Sequence, residues 1–300
     1  MIISKALKVI PEILSVELTT KCNLDCSYCN RKSEMTDISS KLVDKIIEQA
    51  SSFKKLVICG VGESFLYPYI YDFVSKFLYQ KICIVTNGTI IIDFDKLNKL
   101  NNIERLVFSL DAVNGDKIKK ICSNYNFDNL LINLASYKRY ETSSNKKIAL
   151  VLNCTLSEYN LSELVKLVDF AVKFEFGAIH FSLPRGNEKF IEENQIEIVN
   201  ELANAKKRAI ANNIHFVNPF EPCCVYLKWI TPYLSIDGYV YACSETLYKN
   251  NILCDLNVAS FGEIWKMQKY EEFSTGLLCK DCRFLLNSQM DFNSFEQECK

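Results

Sequence analysis

Six short apolar runs recur along the first two-thirds of the chain and predict β-strands. Each run is rich in Val, Ile, Leu or Phe and shows little alternation with polar residues, which is typical of strands covered on both faces. The predicted strands are residues 13–19, 55–60, 82–86, 104–110, 148–154 and 178–183.

Longer amphipathic segments separate these runs and predict helices. Residues 39–53 and 160–174 each carry an apolar stripe at helical spacing, and a further long helix is predicted at 192–213. Asn160 and Glu163 have the spacing of a capping box, so Asn160 is predicted to cap its helix. This alternation predicts a parallel α/β sheet with right-handed crossovers, either open and doubly wound or a partial barrel. In both cases functional residues are expected at the carboxyl ends of the strands.

The pattern changes after about residue 217, where Pro, Gly, aromatic residues and cysteines are mixed together. Asp237-Gly238 lies between two short apolar segments and predicts a hairpin turn. We therefore predict two domains, residues 1–217 and residues 218–300. The second is expected to be a small module whose core is organised partly by something other than hydrophobic burial.

Composition narrows the classes of function. The 300 residues are 49% hydrophobic and 24% charged, with a formal net charge of −1. No global charge would recruit nucleic acid or an anionic membrane. The apolar N-terminus lacks a cleavage site, and no apolar run approaches the roughly 20 residues of a membrane span. We expect a cytoplasmic protein with no nucleic-acid or membrane partner.

Fourteen cysteines are unusual in such a chain and indicate metal or redox chemistry rather than a disulfide framework. Some lie in or beside apolar runs, where a free cysteine behaves as a small buried hydrophobe. These predicted structural cysteines are Cys59, Cys83, Cys122 and Cys154.

Three cysteines, Cys22, Cys26 and Cys29, lie together directly after the first predicted strand. A structural zinc site normally takes four ligands, and no fourth Cys or His is near in sequence. The two histidines, His180 and His215, lie in apolar runs and are expected in core or surface roles. An iron–sulfur cluster is the alternative, because three thiolates on a four-iron cluster leave one iron open for chemistry.

The stretch CNLDCSYC, with Tyr28 before its last cysteine, resembles the signature loop of radical S-adenosylmethionine (radical SAM) enzymes. The resemblance implies a partial (β/α)6 TIM-like barrel with a [4Fe-4S] cluster on Cys22, Cys26 and Cys29. SAM would chelate the open iron, and its cleavage would give a 5′-deoxyadenosyl radical that abstracts hydrogen from a substrate.

Further motifs at successive strand ends strengthen the resemblance. GVGES resembles the family's GGE(P) motif with Ser64 in place of Pro, TNG follows the third strand, and SLD follows the fourth. Alone, TNG is an ordinary turn and Asp111 an ordinary helix cap. The implied cofactor-binding residues are Tyr28, Gly62, Glu63, Thr86, Asn87, Ser109, Asp111, Asn153 and Ser182. Arg185, just past the sixth strand, is the candidate catalytic residue that clamps SAM or substrate, with a surface ion pair as the alternative.

The cysteines of the C-terminal module resemble the SPASM/Twitch extension of the same enzymes, in its shorter Twitch form. The resemblance implies a second, auxiliary [4Fe-4S] cluster on Cys224, Cys243, Cys279 and Cys282. Cys223 is an alternative to Cys224, and Cys254 is a replacement ligand. Four ligands would make an electron relay, three would leave an iron open to substrate, and zinc is the structural alternative.

Three functions are weighed. The leading hypothesis is an oxidoreductase that abstracts hydrogen from a small sugar or aminocyclitol-like substrate and oxidises it with help from the auxiliary cluster. An external donor such as flavodoxin or ferredoxin would supply electrons. The second is a maturase of a ribosomally made peptide, disfavoured because only about a dozen residues precede the first strand, too few for an added peptide-binding domain. The third is a non-catalytic iron–sulfur or zinc module for binding or electron transfer.

Overall fold

The computed structural model of the chain describes residues 10–29, 31, 34–144, 146–184, 187–220, 230–244 and 251–274. Its strands are β1 (Ile13–Val16), β2 (Lys55–Ile58), β3 (Lys81–Thr86), β4 (Ile103–Ser109), β5 (Ala149–Thr155), β6 (Ala178–Ser182), β7 (His215–Val217), β8 (Tyr233–Leu234), β9 (Tyr239–Tyr241) and β10 (Ile252–Asp255). Its helices are α1 (Ser40–Gln49), α2 (Ile70–Ser75), α3 (Phe94–Asn98), α4 (Gly115–Ile121), α5 (Phe127–Ser143), α6 (Leu164–Lys173), α7 (Glu188–Glu193), α8 (Gln195–Ala211), α9 (Phe261–Ile264) and α10 (Gln268–Ser274).

All of these strands belong to one sheet in the order β10-β9-β8-β1-β2-β3-β4-β5-β6-β7. Strands β1 to β7 are parallel neighbours in chain order, with at least one helix in each connection between them. The edges are β7 and β10, so the described strands do not close a barrel. This is the predicted partial TIM-like α/β architecture, extended by β7, which was not predicted because its three residues carry too little periodic signal.

The strands are not uniformly covered on both faces, and that prediction is wrong for β2 and β4. In β4, Leu106 and Phe108 are fully buried, and Phe108 packs edge-on against Phe176 beneath the helical layer, with ring centroids 5.9 Å apart. The alternate residues Val107 and Ser109 are half-buried. Because successive strand side chains point to opposite faces, these residues line the inner face of the curved sheet. We call the space enclosed by that face the lumen.

Two predicted helices differ from expectation. The segment at 192–213 is interrupted at Asn194, which separates α7 from α8. The predicted cap at Asn160 is wrong, because its side chain makes no capping hydrogen bond. Its amide instead donates to the carbonyls of Asp111 and Thr155, at 2.9 and 2.8 Å. Buried carbonyl groups need a hydrogen-bond donor, and the Asn160 amide serves two of them instead of capping the helix.

The C-terminal strands continue the barrel sheet. The predicted hairpin at Asp237-Gly238 is confirmed, since β8 and β9 pair antiparallel on either side of it. Gly238 has φ +91°, a left-handed conformation that glycine adopts readily. Strand β8 then pairs parallel with β1, where Ser15 faces Tyr233. No helix in the described ranges is long and apolar enough to cross a membrane.

Candidate functional site

The cysteine loop leaves β1 at the carboxyl edge of the sheet. Cys22 and Cys26 are half-buried and Cys29 is exposed, and all three thiols are free. Thr19 fixes the start of the loop, because its hydroxyl donates to Asp37 at 2.6 Å and accepts from the backbone N–H of Lys21 at 3.1 Å. The loop therefore presents three thiols on a backbone anchored to its neighbours.

Asparagine side chains hold the remainder of the loop. Asn124 accepts from the backbone N–H of Asp25 at 3.2 Å and donates to the carbonyl of Asn23 at 2.8 Å. The Asn23 amide donates to Thr89 at 2.8 Å and accepts from Asn87 at 3.0 Å. The sequence analysis missed Asn23 and Asn124, because only tertiary contact reveals what a loop asparagine bonds to.

The donor set fits an iron–sulfur cluster. The loop supplies three free thiols, and a four-iron cluster takes one thiolate on each iron that the protein ligates. The Cys22 sulfur accepts from the backbone N–H of Leu24 at 3.5 Å and from Asn87 at 3.8 Å. Burial raises the pKa of Cys22, and the Leu24 hydrogen bond opposes that shift.

Gly62 and Glu63 lock the second motif against the cysteine loop. A Cβ on Gly62 would lie 2.2 Å from the carbonyl oxygen of Thr19, so no larger residue fits. The backbone N–H of Glu63 donates to the Lys21 carbonyl at 2.8 Å. Ser64, which stands where the family motif has Pro, donates to the carbonyl of Val85 at 2.6 Å and joins this loop to β3.

The Glu63 carboxylate is buried and is bonded both to the TNG motif and to the backbone N–H of Phe65, at 3.0 Å. It accepts from the Thr86 hydroxyl at 2.7 Å and from the backbone N–H of Asn87 at 2.6 Å. Burial raises the pKa of Glu63, and these hydrogen bonds act in the opposite direction. The Glu63 side chain therefore connects the ends of β2 and β3. Because the carboxylate is used in these contacts, the groups of this segment that can bind a ligand are those of its backbone.

Asp111 connects the cysteine loop to β5, as Glu63 connects β2 to β3. The Tyr28 hydroxyl donates to one carboxylate oxygen, and the backbone N–H of Thr155 donates to the other at 2.8 Å. Burial raises the pKa of Asp111 to about 6, opposed by the Tyr28 and Thr155 hydrogen bonds. The half-buried Tyr28 and the buried Asp111 thus connect the cysteine loop to β5. Asn160 donates to the backbone carbonyls of Asp111 and Thr155 at the same place.

Ser109 and Ser182 end β4 and β6, Asn153 lies two residues before the end of β5, and all three are half-buried. Ser109 is the register partner of Asn153, and Ser182 is the partner of Thr155. The structure therefore brings these predicted residues together along one edge of the lumen. Arg185 lies outside the described residues.

The auxiliary site is described only in part. Cys243 is buried just after β9, and Cys254 is half-buried in β10, where it pairs with Val240. Cys223, Cys224, Cys279 and Cys282 lie outside the described residues.

Glu17 connects the two modules. This buried carboxylate accepts from the backbone N–H of Val61 at 2.9 Å and from that of Ile236, in the C-terminal hairpin, at 3.4 Å. Burial raises the pKa of Glu17, opposed by those same hydrogen bonds. The sequence analysis missed it, although a charged residue inside the apolar run ILSVELT was a usable signal.

Comparison with known proteins agrees with this geometry. The model of the radical SAM superfamily matches residues 16–171, just over half of the chain, and that of an iron–sulfur cluster-binding (SPASM) domain matches residues 222–283. A GTP 3′,8-cyclase from Clostridium perfringens (strain SM101) is 29% identical over 174 residues, which are 54% of this chain. The match spans about half, 52%, of the cyclase's length.

Two solved structures with different bound molecules have a similar fold. The first is anSMEcpe with bound AdoMet and a peptide, at a TM-score of 0.69 and 14% identity over 96% of this chain and 97% of that chain. The second is BtrN in complex with AdoMet and 2-DOIA, at a TM-score of 0.51 and 15% identity. That match covers 90% of this chain and 88% of the BtrN chain. At such identities the likeness concerns the fold.

These findings account for the cofactors as well as the fold. The two domains imply a SAM-binding [4Fe-4S] cluster and auxiliary iron–sulfur chemistry. The anchored cysteine loop, with the GVGE, TNG and SLD segments packed around it, is built as the first of these sites requires. The superfamily model covers more than half of the chain, and the protein therefore belongs to the radical SAM superfamily, as an enzyme with a C-terminal SPASM-type iron–sulfur domain.

Proposed function

We propose that this protein is a radical SAM oxidoreductase that removes two hydrogens from a small sugar or aminocyclitol-like substrate. When bound, the clusters and SAM supply the reducing electron, the hydrogen-abstracting radical and the acceptor of the second electron. The substrate loses one hydrogen atom from a carbinol carbon, then a hydroxyl proton and an electron, and leaves as a ketone. A flavodoxin or ferredoxin is the proposed source of the first electron.

The roles of the chain's residues follow from this proposal. Cys22, Cys26 and Cys29 hold the first cluster. Cys243 is proposed to ligate the auxiliary cluster with Cys224, Cys279 and Cys282, with Cys223 and Cys254 as alternatives. Residues 1–217 and 218–300 are the proposed domains, although β8 to β10 extend the barrel sheet.

The residues proposed to bind SAM surround the cysteine loop on several strand ends. Backbone groups beside Gly62 and Glu63 receive its amino group, and Ser109, Asn153 and Ser182 face its polar groups. Tyr28, Thr86, Asn87 and Asp111 hold the pocket in shape through the hydrogen bonds described above. Arg185 is proposed to clamp SAM or substrate.

The observation that carries the proposal is the position of β1 between the two modules. The cysteine loop leaves its carboxyl end, β8 pairs along its other side, and Glu17 bonds to both modules. A substrate in the lumen would therefore lie beside the strand that joins the cysteine loop to the C-terminal module. A two-electron oxidation needs a substrate close both to the site of hydrogen abstraction and to an electron acceptor. The likeness to BtrN, which is in complex with a small molecule, supports the same reading.

A peptide maturase is the second candidate. It is favoured by the likeness to anSMEcpe, which binds a peptide and of whose chain 97% is matched. A chain of this extent can therefore receive a peptide without an added domain, which weakens the argument from the short segment before β1.

The test is isotope transfer with the anaerobically reconstituted enzyme, SAM and a reductant. Sugars and aminocyclitols deuterated at carbinol carbons, and peptides deuterated at Cα or Cβ, are supplied separately. Deuterium in 5′-deoxyadenosine from a small molecule, with a product lighter by two hydrogens, is the expected result. Transfer from peptides alone would support the maturase, and transfer from neither panel would contradict both.

A further inference from the structure

The lumen contains a positive charge that the site described above does not use. Arg105 lies on β4 and is the register partner of Ala149 on β5, two residues before Val107 on the same face. Like Val107 and Ser109, it is half-buried, whereas Leu106 and Phe108 between them are fully buried. By strand alternation its side chain belongs to the lumen face and not to the helical layer.

This guanidinium has no acceptor within the described ranges. Its Nε is buried and makes no hydrogen bond, and no ion pair joins Arg105 to an acidic residue there. The adjacent Glu104 is paired with Lys55, at 2.5 Å. Glu17, the carboxylate on the lumen side of β1, is bonded to backbone N–H groups. Buried charged donors are normally paired, so an unpaired one requires an explanation.

His180 and Asn153 lie on the same face of β6 and β5, four residues closer to the carboxyl edge than Ala149, the register partner of Arg105. They are register partners across β5 and β6, and both are half-buried. The pKa of His180 is lowered to about 4 by burial, then by the charges of His215 and Arg105, so its imidazole is neutral at pH 7. These three described residues therefore combine one cation, Arg105, with two neutral groups that can donate hydrogen bonds.

We propose that Arg105, with His180 and Asn153, forms a subsite in the lumen that binds an oxyanion of the substrate, a carboxylate or a phosphate. A guanidinium presents parallel donors that match either group, and it binds most strongly where water is partly excluded. The inference rests on the proposed function only in treating the lumen as the substrate site. It narrows the proposed sugar or aminocyclitol-like substrate to one that carries a carboxylate or a phosphate group.

The test is calorimetric titration of the anaerobic, SAM-loaded holoenzyme with pyrophosphate and, separately, glutarate at constant ionic strength. We expect one of them to bind with one equivalent per chain. Arg105→Met should weaken that binding at least about tenfold, because a charge-assisted hydrogen bond is lost. Arg105→Lys should weaken the binding less, because the positive charge remains although the two parallel N–H donors of the guanidinium are lost. Arg139→Met, at an exposed arginine of α5, is the matched control and should bind as the wild type does.

Each outcome is decisive. Binding of pyrophosphate alone indicates a phosphorylated substrate, and binding of glutarate alone indicates a carboxylate. The absence of binding by either probe at about 10 mM, or equal affinities in the wild type and Arg105→Met, overturns the subsite. Iron content and melting temperature identify a misfolded variant, in which case Arg105→Lys carries the comparison. Because binding is measured without turnover, failure here is distinct from failure of the deuterium-transfer test.

Discussion

The helix-facing and lumen-facing sides of β4 to β6 differ in what they contribute to the protein. Leu106, Phe108 and Ile179 on the helix side are fully buried and belong to one continuous core. Ser109 and His180 on the lumen side are half-buried and polar. Adjacent residues of one strand thus have different roles, one in core packing and the next in the site. Mutations on the helix side should lower stability, and mutations on the lumen side should change ligand binding.

The largest effect is expected when a loop cysteine and a sheet cysteine are compared. Cys26→Ala removes a ligand of the first cluster, so iron per reconstituted chain should fall from about eight to about four. Cys83→Ala removes a buried thiol of β3 and should leave the iron content unchanged. Iron analysis and absorbance near 400 nm measure both variants. Full iron in Cys26→Ala would place the cluster elsewhere.

A second comparison uses neighbouring residues on β4. Phe108→Ala should lower the free energy of unfolding by about 3–5 kcal/mol, since it leaves a cavity beneath the helices. Ser109→Ala should change it by less than about 0.5 kcal/mol and weaken SAM binding about fivefold through a lost hydrogen bond. Anaerobic denaturation and SAM titration separate the effects. Equal stability losses would mean that the two faces are not distinct.

The sequence predicted the positions of the first six strands along the chain because each is an apolar run bounded by polar residues, and the partial barrel followed only from the family resemblance. It did not predict the short strands β7 and β10, whose pairing depends on partners distant in the chain. The sequence also did not predict which strand residues face the lumen. In ERLVFSL the alternation of Arg105, Val107 and Ser109 is hidden by apolar Val107, so the run resembles a strand covered on both faces.

The candidate site was predictable where ligand chemistry or close backbone packing requires particular residues, as at the three loop cysteines and Gly62. It was less predictable where buried side chains join elements. Glu17, Asn124 and Asn160 bond to segments tens to hundreds of residues away. Nothing local distinguishes such residues from an ordinary cap or loop residue, as the incorrect cap at Asn160 illustrates.

A pH experiment sharpens the comparison on β6. Because the pKa of His180 is lowered to about 4 in the folded state from an ordinary value of 6.5, the unfolded chain binds more protons between these values. Stability from this residue is therefore present above about pH 6.5 and lost as the pH falls towards 4, by up to about 3 kcal/mol. His180→Gln should remove that part of the pH dependence. Ser182→Ala, on the same face, should retain it, and identical curves for His180→Gln and wild type would contradict the account.

The smallest effect concerns the anchoring of the cysteine loop. Asn124→Ala should cost about 1 kcal/mol and speed the loss of iron to a chelator, because two backbone contacts of the loop disappear. Asn126→Ala is the control. The Asn126 side chain caps α5 by accepting from the backbone N–H of Asn129 at 3.0 Å, so its loss should cost a similar amount of stability. Its iron loss should match that of the wild type. Equal iron loss in both variants would show that Asn124 acts only on global stability.

The most direct test of the account is the cleavage of SAM by the reconstituted protein. With about eight iron atoms per chain, a strong reductant and SAM, we expect 5′-deoxyadenosine and methionine in equal amounts. The Cys26→Ala variant should form neither. Intact clusters in the wild-type protein with no 5′-deoxyadenosine, in the presence of either substrate panel, would contradict the account and indicate a redox or binding module.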